Sequence, residues 1–264
     1  MIKVAISGAM GRMGMQLVRL VQADPGLQLA AALEHDGHPG LGRDVGLEHG
    51  AGAVGVELST KLPPGVDVLI DFSTPEGTAK HLAACVANGT SIVIGTTGIE
   101  DLKGSIEKAS EKIAVLASPN MSVGVNLIFS VAARIARSLG SDYDIEIVEA
   151  HHRFKKDAPS GTALRIAEGI TAATDRTLAK NAVYGRHGKP IDRAPGEIGI
   201  HAVRGGDIVG EHTVVYATLG ERVELKHVAH SRETFARGAL RAAKFVQGKE
   251  PGFYDMSDVL GQDK

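Results

Sequence analysis

The chain has no tryptophan, a single cysteine and only 4% aromatic residues over its 264 positions. So few aromatic rings leave no platform on which bases could stack, so a nucleic-acid partner is not expected. No charge of one sign dominates either: the formal net charge is −2 and the isoelectric point near 6.6. No global field therefore gathers phosphodiester backbones or an anionic membrane surface. The lone Cys85 cannot close an intramolecular disulfide or a paired-thiol metal knuckle. In its Ala-rich surroundings over 82–87 it reads as a small buried hydrophobe. Apolar runs are short, none approaching the ~18 residues of a membrane helix, and the opening run is too brief for a signal peptide. No membrane partner is expected and a cytoplasmic location is the default. What the chain has in plenty is glycine, 33 residues, where average usage is about 7%. Tight turns and close backbone approaches follow from that excess.

Hydrophobic periodicity divides the chain. An apolar run over 2–7 reads as a strand, and 11–21 as a helix with Met13, Leu17, Val18, Leu20 and Val21 at helical spacing. Asp24-Pro25-Gly26 stops that helix, and a second strand follows over 28–34. Residues 35–53 read as a long Gly- and His-rich loop. Strands over 66–72, 91–95 and 113–117 then alternate with helices over 75–88 and 99–112, the grammar of a parallel sheet covered on both faces. Past Pro119 the pattern changes. A long helix over 123–139 carries Val123, Leu127, Ile128, Val131, Ile135 and Leu139 on one stripe, followed by a strand over 143–150 and a helix over 160–173. Residues 196–229 are β-rich, with hairpin turns expected at Gly205-Gly206-Asp207 and Gly220-Glu221, and a helix over 234–246 closes the chain.

Gly8-Ala9-Met10-Gly11-Arg12-Met13-Gly14 joins the first strand directly to the first helix. Glycines there let the backbone turn sharply and approach a pyrophosphate, whose charge N–H groups of the helix start can hold. The GxxGxxG spacing is by itself a weak signal. Glu34, at the end of the second strand, strengthens it, because an acid there accepts hydrogen bonds from an adenosine ribose. His35 follows. A cation at that point favours a 2′-phosphate and the acid favours a free 2′-hydroxyl, so a neutral histidine predicts NADH use at least equal to NADPH use. Gly95-Thr96-Thr97-Gly98 and Ser118-Pro119-Asn120-Met121 each follow a strand end, where ligands of open α/β sheets bind. Ser73 and Thr74 read first as helix caps.

The densest polar segment runs from Glu149 through His151, His152, Lys155 and Asp157 to Pro159-Ser160-Gly161-Thr162. It ends at a helix start, which presents backbone N–H groups and hydroxyls to an anion. Two histidines and a lysine beside an anion site suit a small carboxylate substrate and a proton transfer. A shared metal ion is disfavoured, because neighbouring strand residues point to opposite faces. A serine hydrolase would want Gly-x-Ser-x-Gly, which is absent. An RNA-binding patch conflicts with the charge balance. A purely structural loop remains the plain alternative.

Together, Val-Ala-Ile-Ser-Gly-Ala-Met-Gly-Arg-Met-Gly, Val-Ile-Gly-Thr-Thr-Gly, Asn-Met-Ser-Val-Gly-Val-Asn and His-His-Arg-Phe-Lys-Lys-Asp-Ala-Pro-Ser-Gly-Thr resemble the 4-hydroxy-tetrahydrodipicolinate reductase (dihydrodipicolinate reductase) family of lysine and diaminopimelate biosynthesis. Gly-Asp-Ile-Val-Gly-Glu-His-Thr over 206–213 adds to the likeness, which spans residues 2 to about 260. The resemblance implies an α/β fold: a Rossmann-like parallel-sheet domain over 1–122 with 233–264, plus an α+β substrate and oligomerisation domain with a mixed sheet over 123–232. It implies NADH or NADPH as coenzyme, a small dicarboxylate substrate, no metal and a homotetramer. By position, Gly8, Ala9, Met10, Gly11, Arg12 and Met13 would hold the pyrophosphate and Glu34 the ribose. Gly95, Thr96 and Thr97 with Ser118, Pro119, Asn120 and Met121 would hold the nicotinamide half. His151 would exchange the proton, Lys155 would be a second donor, and His152, Gly161 and Thr162 would bind substrate carboxylates. His35 stands where family members often carry arginine.

Overall fold

The computed structural model describes residues 1–189 and 192–262; the last two residues of the segment 233–264 lie outside it. The chain opens with β1 (Ile2–Ser7), α1 (Arg12–Ala23), β2 (Leu27–Leu33), α2 (Val45–Glu48), β3 (Leu58–Ser59), β4 (Val68–Asp71), α3 (Pro75–Asn88), β5 (Ser91–Ile94), α4 (Lys103–Ser110) and β6 (Ala114–Ala117). Next come α5 (Val123–Leu139), β7 (Asp144–His151), α6 (Gly161–Ala172), α7 (Leu178–Asn181), β8 (Ala182–Tyr184), β9 (Ile198–Arg204), β10 (Gly210–Thr218) and β11 (Glu221–Ala229). The tail adds α8 (Glu233–Val246), β12 (Gly252–Tyr254) and α9 (Met256–Leu260). Two compact units result, one of residues Met1–Val123 with Glu233–Lys264, the other of Gly124–Arg232.

The first unit is a seven-stranded sheet in the order β12-β6-β5-β4-β1-β2-β3, every pairing parallel. Its central strands β4, β5 and β6 are buried on both faces, which is why they are continuous apolar runs such as Val-Leu-Ile in β4. Val4, Ile6, Val68 and Ile70 pack on one face with α1 and α8. Ala5, Leu69, Ile92 and Ile94 pack on the other with Leu82 and Cys85 of α3 and Ile106 of α4. Cys85 is wholly buried as expected, and burial, with a smaller push from Asp71, drives its thiol pKa upward. α3 occupies the span read from sequence because its ends are chemically marked. Thr74 caps it by accepting from the Gly77 N–H, Pro75 sits at the first position, and Gly89 ends it in the left-handed region.

The second unit is a mixed five-stranded sheet in the order β11-β10-β7-β9-β8. β10 runs antiparallel to β7 and β11, while β9 runs parallel to β7 and β8. α5 and α6 cover one face, burying Ile128, Ala132, Ile166 and Ile170 against Ile145, Ile147, Val214 and Tyr216. Leu219 and Gly220 form the two-residue β10–β11 turn, with Thr218 paired to Glu221.

Several sequence expectations change. Gly205-Gly206-Asp207 is not a hairpin turn. β7 lies between β9 and β10, so this connection crosses the end of β7, where Gly205 N–H donates to His151 O (3.0 Å) and Arg153 N–H to Gly206 O (3.2 Å). Residues 35–53 are not featureless, since α2 lies within them. The chain does not close at α8: β12 adds an edge to β6, and α9 follows with a capping box on Asp255. These elements are too short to show a period. The buried stripe of α5 is Val125, Ile128, Ala132 and Ala136, while Leu127 is exposed. The alanines let the helix approach Tyr216, whose hydroxyl donates to Ala132 O at 2.7 Å. Contrary to the short-run expectation, Val123–Asp142 has the length and mean hydropathy, 1.2, of a membrane span. It also contains Arg134 and Arg137, and its buried stripe packs on the five-stranded sheet, as in an amphipathic core helix.

α8 rests on the turn that follows β6. A Cβ on Gly238 would lie 1.7 Å from Met121 O, so only glycine allows this approach. Gly238→Ala is expected to destabilise the first unit by about 1–3 kcal/mol through overpacking, read as a lowered Tm. A wild-type Tm would show that α8 shifts without cost.

Candidate active site

In the first unit, β1 is followed by Gly8, whose φ of +68° is in the left-handed region. A Cβ there would meet Phe72 O at 2.5 Å, and one on Gly14 would meet Gly8 O at 2.2 Å, so α1 sits directly on the glycine turn. Gly11 supplies no side-chain cap, and the first turn of α1 contains no acid. The first main-chain bond into the helix is Met15 N–H to Gly11 O, 3.0 Å. The Arg12 and Met13 N–H groups therefore lack an intrahelical acceptor and are placed to meet an anion. The N–H groups of Ala9, Met10 and Gly11 are already spent, on Leu33 O (3.1 Å), Glu34 Oε1 (2.9 Å) and Gly8 O (2.9 Å). Glu34 stands beside the turn, its second oxygen accepting from His35 N–H at 3.2 Å. Gly8, Gly11, Glu34 and His35 line a cavity of about 680 Å³ that also holds Lys61 and Lys80. The exposed His35 ring bonds to Asp36 O (2.9 Å) and meets His38 edge-on. An uncapped helix start, glycines where a side chain would clash, and an acid at the end of β2 fit a dinucleotide.

At the ends of β5 and β6 lies a second, largely apolar cavity of about 480 Å³, lined by Thr96, Thr97, Ser118 and Pro119 with Ile99 and Phe253. Gly95 is required beside it, since a Cβ would lie 2.4 Å from the Phe72 ring. The Thr96 hydroxyl is buried and accepts from Thr78 Oγ1 (3.0 Å) and Ser73 N–H (3.2 Å), whereas Thr97 is exposed. Asn120 and Met121 are not among the residues lining this cavity. Asn120 Oδ1 accepts from Ser122 N–H at 2.9 Å, and Met121 is buried in the core.

In the second unit, the alternation of β7 puts Ile145, Ile147, Glu149 and His151 on the helix-covered face. Glu149 is fully buried. Its carboxylate takes two bonds of 2.7 Å from the Arg204 guanidinium, one of 2.6 Å from His151 Nδ1 and one of 3.0 Å from Ser160 N–H. Burial pushes the Glu149 pKa up, but Arg204, His151 and Ser160 together hold it below the usual carboxylate value. Burial lowers the His151 pKa, against the opposing pull of Glu149. With Nδ1–H on the carboxylate, Nε2 is the ring atom left to exchange a proton. It faces Gly210, where a Cβ would come within 3.1 Å.

Ser160 caps α6, accepting from Ala163 N–H, and its hydroxyl also meets His212 Nε2 at 3.0 Å. The start of α6 is thus tied to β7 through Glu149 and to β10 through His212. Gly161, at the first helical position, is exposed with open space where a side chain would stand, and Thr162 follows it. His152 has a buried Nδ1 without a partner among the described residues. Lys155 Nζ pairs with Asp157 at 2.9 Å, and its charge acts on both His151 and His212.

The structure adds Glu149, Arg204 and His212 to the residues that sequence alone assigns to the site. Glu149 had a usable signal, because a carboxylate two residues before a histidine in a strand shares its face. His212 lies in the 206–213 segment that adds to the family likeness, whereas Arg204 has no local signal, since its meeting with Glu149 depends on the strand order.

A glycine turn feeding an uncapped helix in a parallel sheet, with a histidine–carboxylate–arginine cluster in a separate mixed-sheet unit, defines a two-unit α/β oxidoreductase. Residues 2–121 match the family described as "Dihydrodipicolinate reductase, N-terminus" and residues 124–260 its C-terminus. The 4-hydroxy-tetrahydrodipicolinate reductase of Anaeromyxobacter dehalogenans strain 2CP-C is 51% identical, covering 99% of this chain and 98% of its own length. That of Citrifermentans bemidjiense is 50% identical over 99% of both chains. The solved dipicolinate-bound dihydrodipicolinate reductase of Paenisporosarcina sp. TG-14 matches with TM-score 0.76 and 26% identity over 97% of each chain. The chain belongs to the dihydrodipicolinate reductase family.

His212 generates a test of this geometry. Burial, with His151 adding to it, lowers its ring pKa from 6.5 to about 3. Above pH 6.5 the ring is neutral in both folded and unfolded chains and its contribution to stability is full. As pH falls from 6.5 toward 3, the unfolded chain takes a proton that the folded one refuses, and stability drops. In urea melts across this range, His212→Gln is expected to flatten the pH slope by up to about 1.4 kcal/mol per pH unit. Parallel slopes would mean that His212 titrates normally in the fold.

Proposed function

We propose that the protein catalyses the NADH- or NADPH-dependent reduction of 4-hydroxy-tetrahydrodipicolinate to tetrahydrodipicolinate, in the route to diaminopimelate and lysine. The observation that carries this reading is the Glu149–His151 pair, held by Arg204 beside the start of α6. The coenzyme, when bound, supplies a hydride. Arg12 and Met13 N–H groups meet its pyrophosphate, Glu34 its ribose, and Gly95, Thr96, Thr97, Ser118 and Pro119 border its nicotinamide half. In the second unit, the α6 N-terminus at Gly161 and Thr162, with His152, binds the substrate carboxylates. Loss of the 4-hydroxyl as water would give a C=C bond conjugated with the ring C=N; hydride added to it would leave electron density on the substrate ring, so a proton must follow. His151 Nε2 delivers it, and Lys155 stabilises the density and serves as a second donor. Glu149 orients the ring and steadies its charged form.

Both coenzymes are accepted. His35 is a weaker phosphate partner than arginine, while Lys61 and Lys80 bring positive charge to the same cavity. The same reading gives a homotetramer in the cytoplasm, with the sheet face away from α5 and α6, where Val148 and Val203 stand exposed, as the surface on which copies would meet.

The test condenses pyruvate with aspartate semialdehyde through the preceding synthase and follows loss of NADH or NADPH absorbance. Synthase-dependent oxidation is expected, with kcat/KM for NADH at least equal to that for NADPH. Coenzyme binding without oxidation would overturn the reading. His151→Ala is expected to lower kcat about 10²–10⁴-fold while NADH affinity without substrate stays near wild type. An equal loss of coenzyme affinity would make the residue structural.

A further inference from the structure

Residues 36–57 lie outside every motif, yet they are tightly organised. Asp44 caps α2, and its carboxylate accepts from the N–H groups of Gly46 (2.8 Å), Leu47 (3.1 Å), Val54 (3.1 Å) and Gly55 (2.6 Å). A Cβ on Gly46 would lie 2.2 Å from Gly52 O, so the loop folds back on itself without a gap. Val45 N–H to Val56 O and Leu58 N–H to Arg43 O, each 2.9 Å, close its base. The residue that ends α2 is His49, whose Nε2 lies 3.1 Å from Ala9 O, across 40 positions of sequence. A carbonyl only accepts, so the imidazole must donate from Nε2.

The carbonyl of Ala9 and the N–H of Met10 belong to one peptide plane. His49 holds its oxygen and Glu34 Oε1 holds its N–H at 2.9 Å. The Ala9 N–H is itself fixed on Leu33 O. Pinned at both poles, this peptide cannot rotate, and the Glu34 carboxylate that shares the bond is kept in one orientation. We infer that His49 is a positioning residue for the coenzyme: by fixing the Ala9–Met10 peptide, it presets the glycine turn and the carboxylate that meets the adenosine ribose. It touches neither the nicotinamide nor the substrate. The inference rests on the dinucleotide reading of the first unit.

The test titrates NADH into the full-length protein by fluorescence and measures KM and kcat in parallel. Wild type binds NADH. His49→Ala is expected to weaken binding about three- to tenfold, the worth of one hydrogen bond, and to raise KM for NADH with kcat at saturation unchanged. His49→Gln, whose amide can donate to Ala9 O, restores the affinity to within about twofold, well inside the loss from one hydrogen bond. If the alanine variant melts early, His49→Phe replaces it, filling the space of the ring without a donor. Wild-type affinity in the alanine or phenylalanine variant overturns the inference, and so does a glutamine variant as weak as alanine. Absence of NADH binding by the wild type overturns the dinucleotide reading and this inference with it.

Discussion

One buried carboxylate organises the chemical half of the molecule. Glu149 has no solvent exposure, yet it remains charged because a guanidinium, an imidazole and a main-chain N–H converge on it. Each partner comes from a different place in the chain: Arg204 from β9, His151 from its own strand and Ser160 from the start of α6. Removing one partner of such a buried pair costs far more than the pair contributes net, because the remaining charge is stranded away from water. The cluster is therefore weak evidence for stability. Its consequence is order: it fixes which ring nitrogen of His151 is free and where α6 begins. The tautomer of the histidine and the position of the α6 start are set by the same residue.

The coenzyme half is organised by backbone instead. Gly8, Gly14 and Gly95 occupy points where a side chain would strike main chain or the Phe72 ring, so the carboxyl ends of β1, β4 and β5 can crowd together. The N–H groups of Ala9, Met10 and Gly11 are engaged within the fold, while those of Arg12 and Met13 at the head of α1 have no intrahelical acceptor. This division of labour follows from chemistry. A dinucleotide is long and charged and needs many weak contacts from rigid main chain. A proton transfer needs one side chain with a controlled charge.

Much of the framework was legible in the sequence, and the reason is local. β1, α3 and α5 occupy the residues their periodicity and caps mark, and the parallel strands announce themselves as unbroken apolar runs. The glycine turn, Glu34 and the segment from Glu149 to Thr162 were visible for the same reason, since their chemistry is carried by adjacent residues. What was illegible depends on pairing at a distance. The strand order that puts β7 between β9 and β10 turned an expected hairpin into a crossing beside His151, and brought Arg204 and His212 to the site. The order within 35–57 comes from one aspartate bonding to main chain, which has no hydrophobic period to betray it. β12 and α9 were missed because three and five residues are too few to show a period.

The tail of the chain returns to the first unit, and this sets a schedule for its birth on the ribosome. Ala236, Ala239, Ala243, Val246 and Met256 belong to the same core as Val4, Ile6, Val68 and Ile70. That core lacks a wall until residues 236–256 are made, whereas every strand of the mixed sheet precedes them in the chain. At 5–20 residues per second, the opening sheet waits on the order of ten seconds for its missing helix. During that interval the part of one apolar face that α1 does not cover stands bare, while the residues of the inserted unit are already made. A segment made after the mixed sheet thus closes the sheet begun before it.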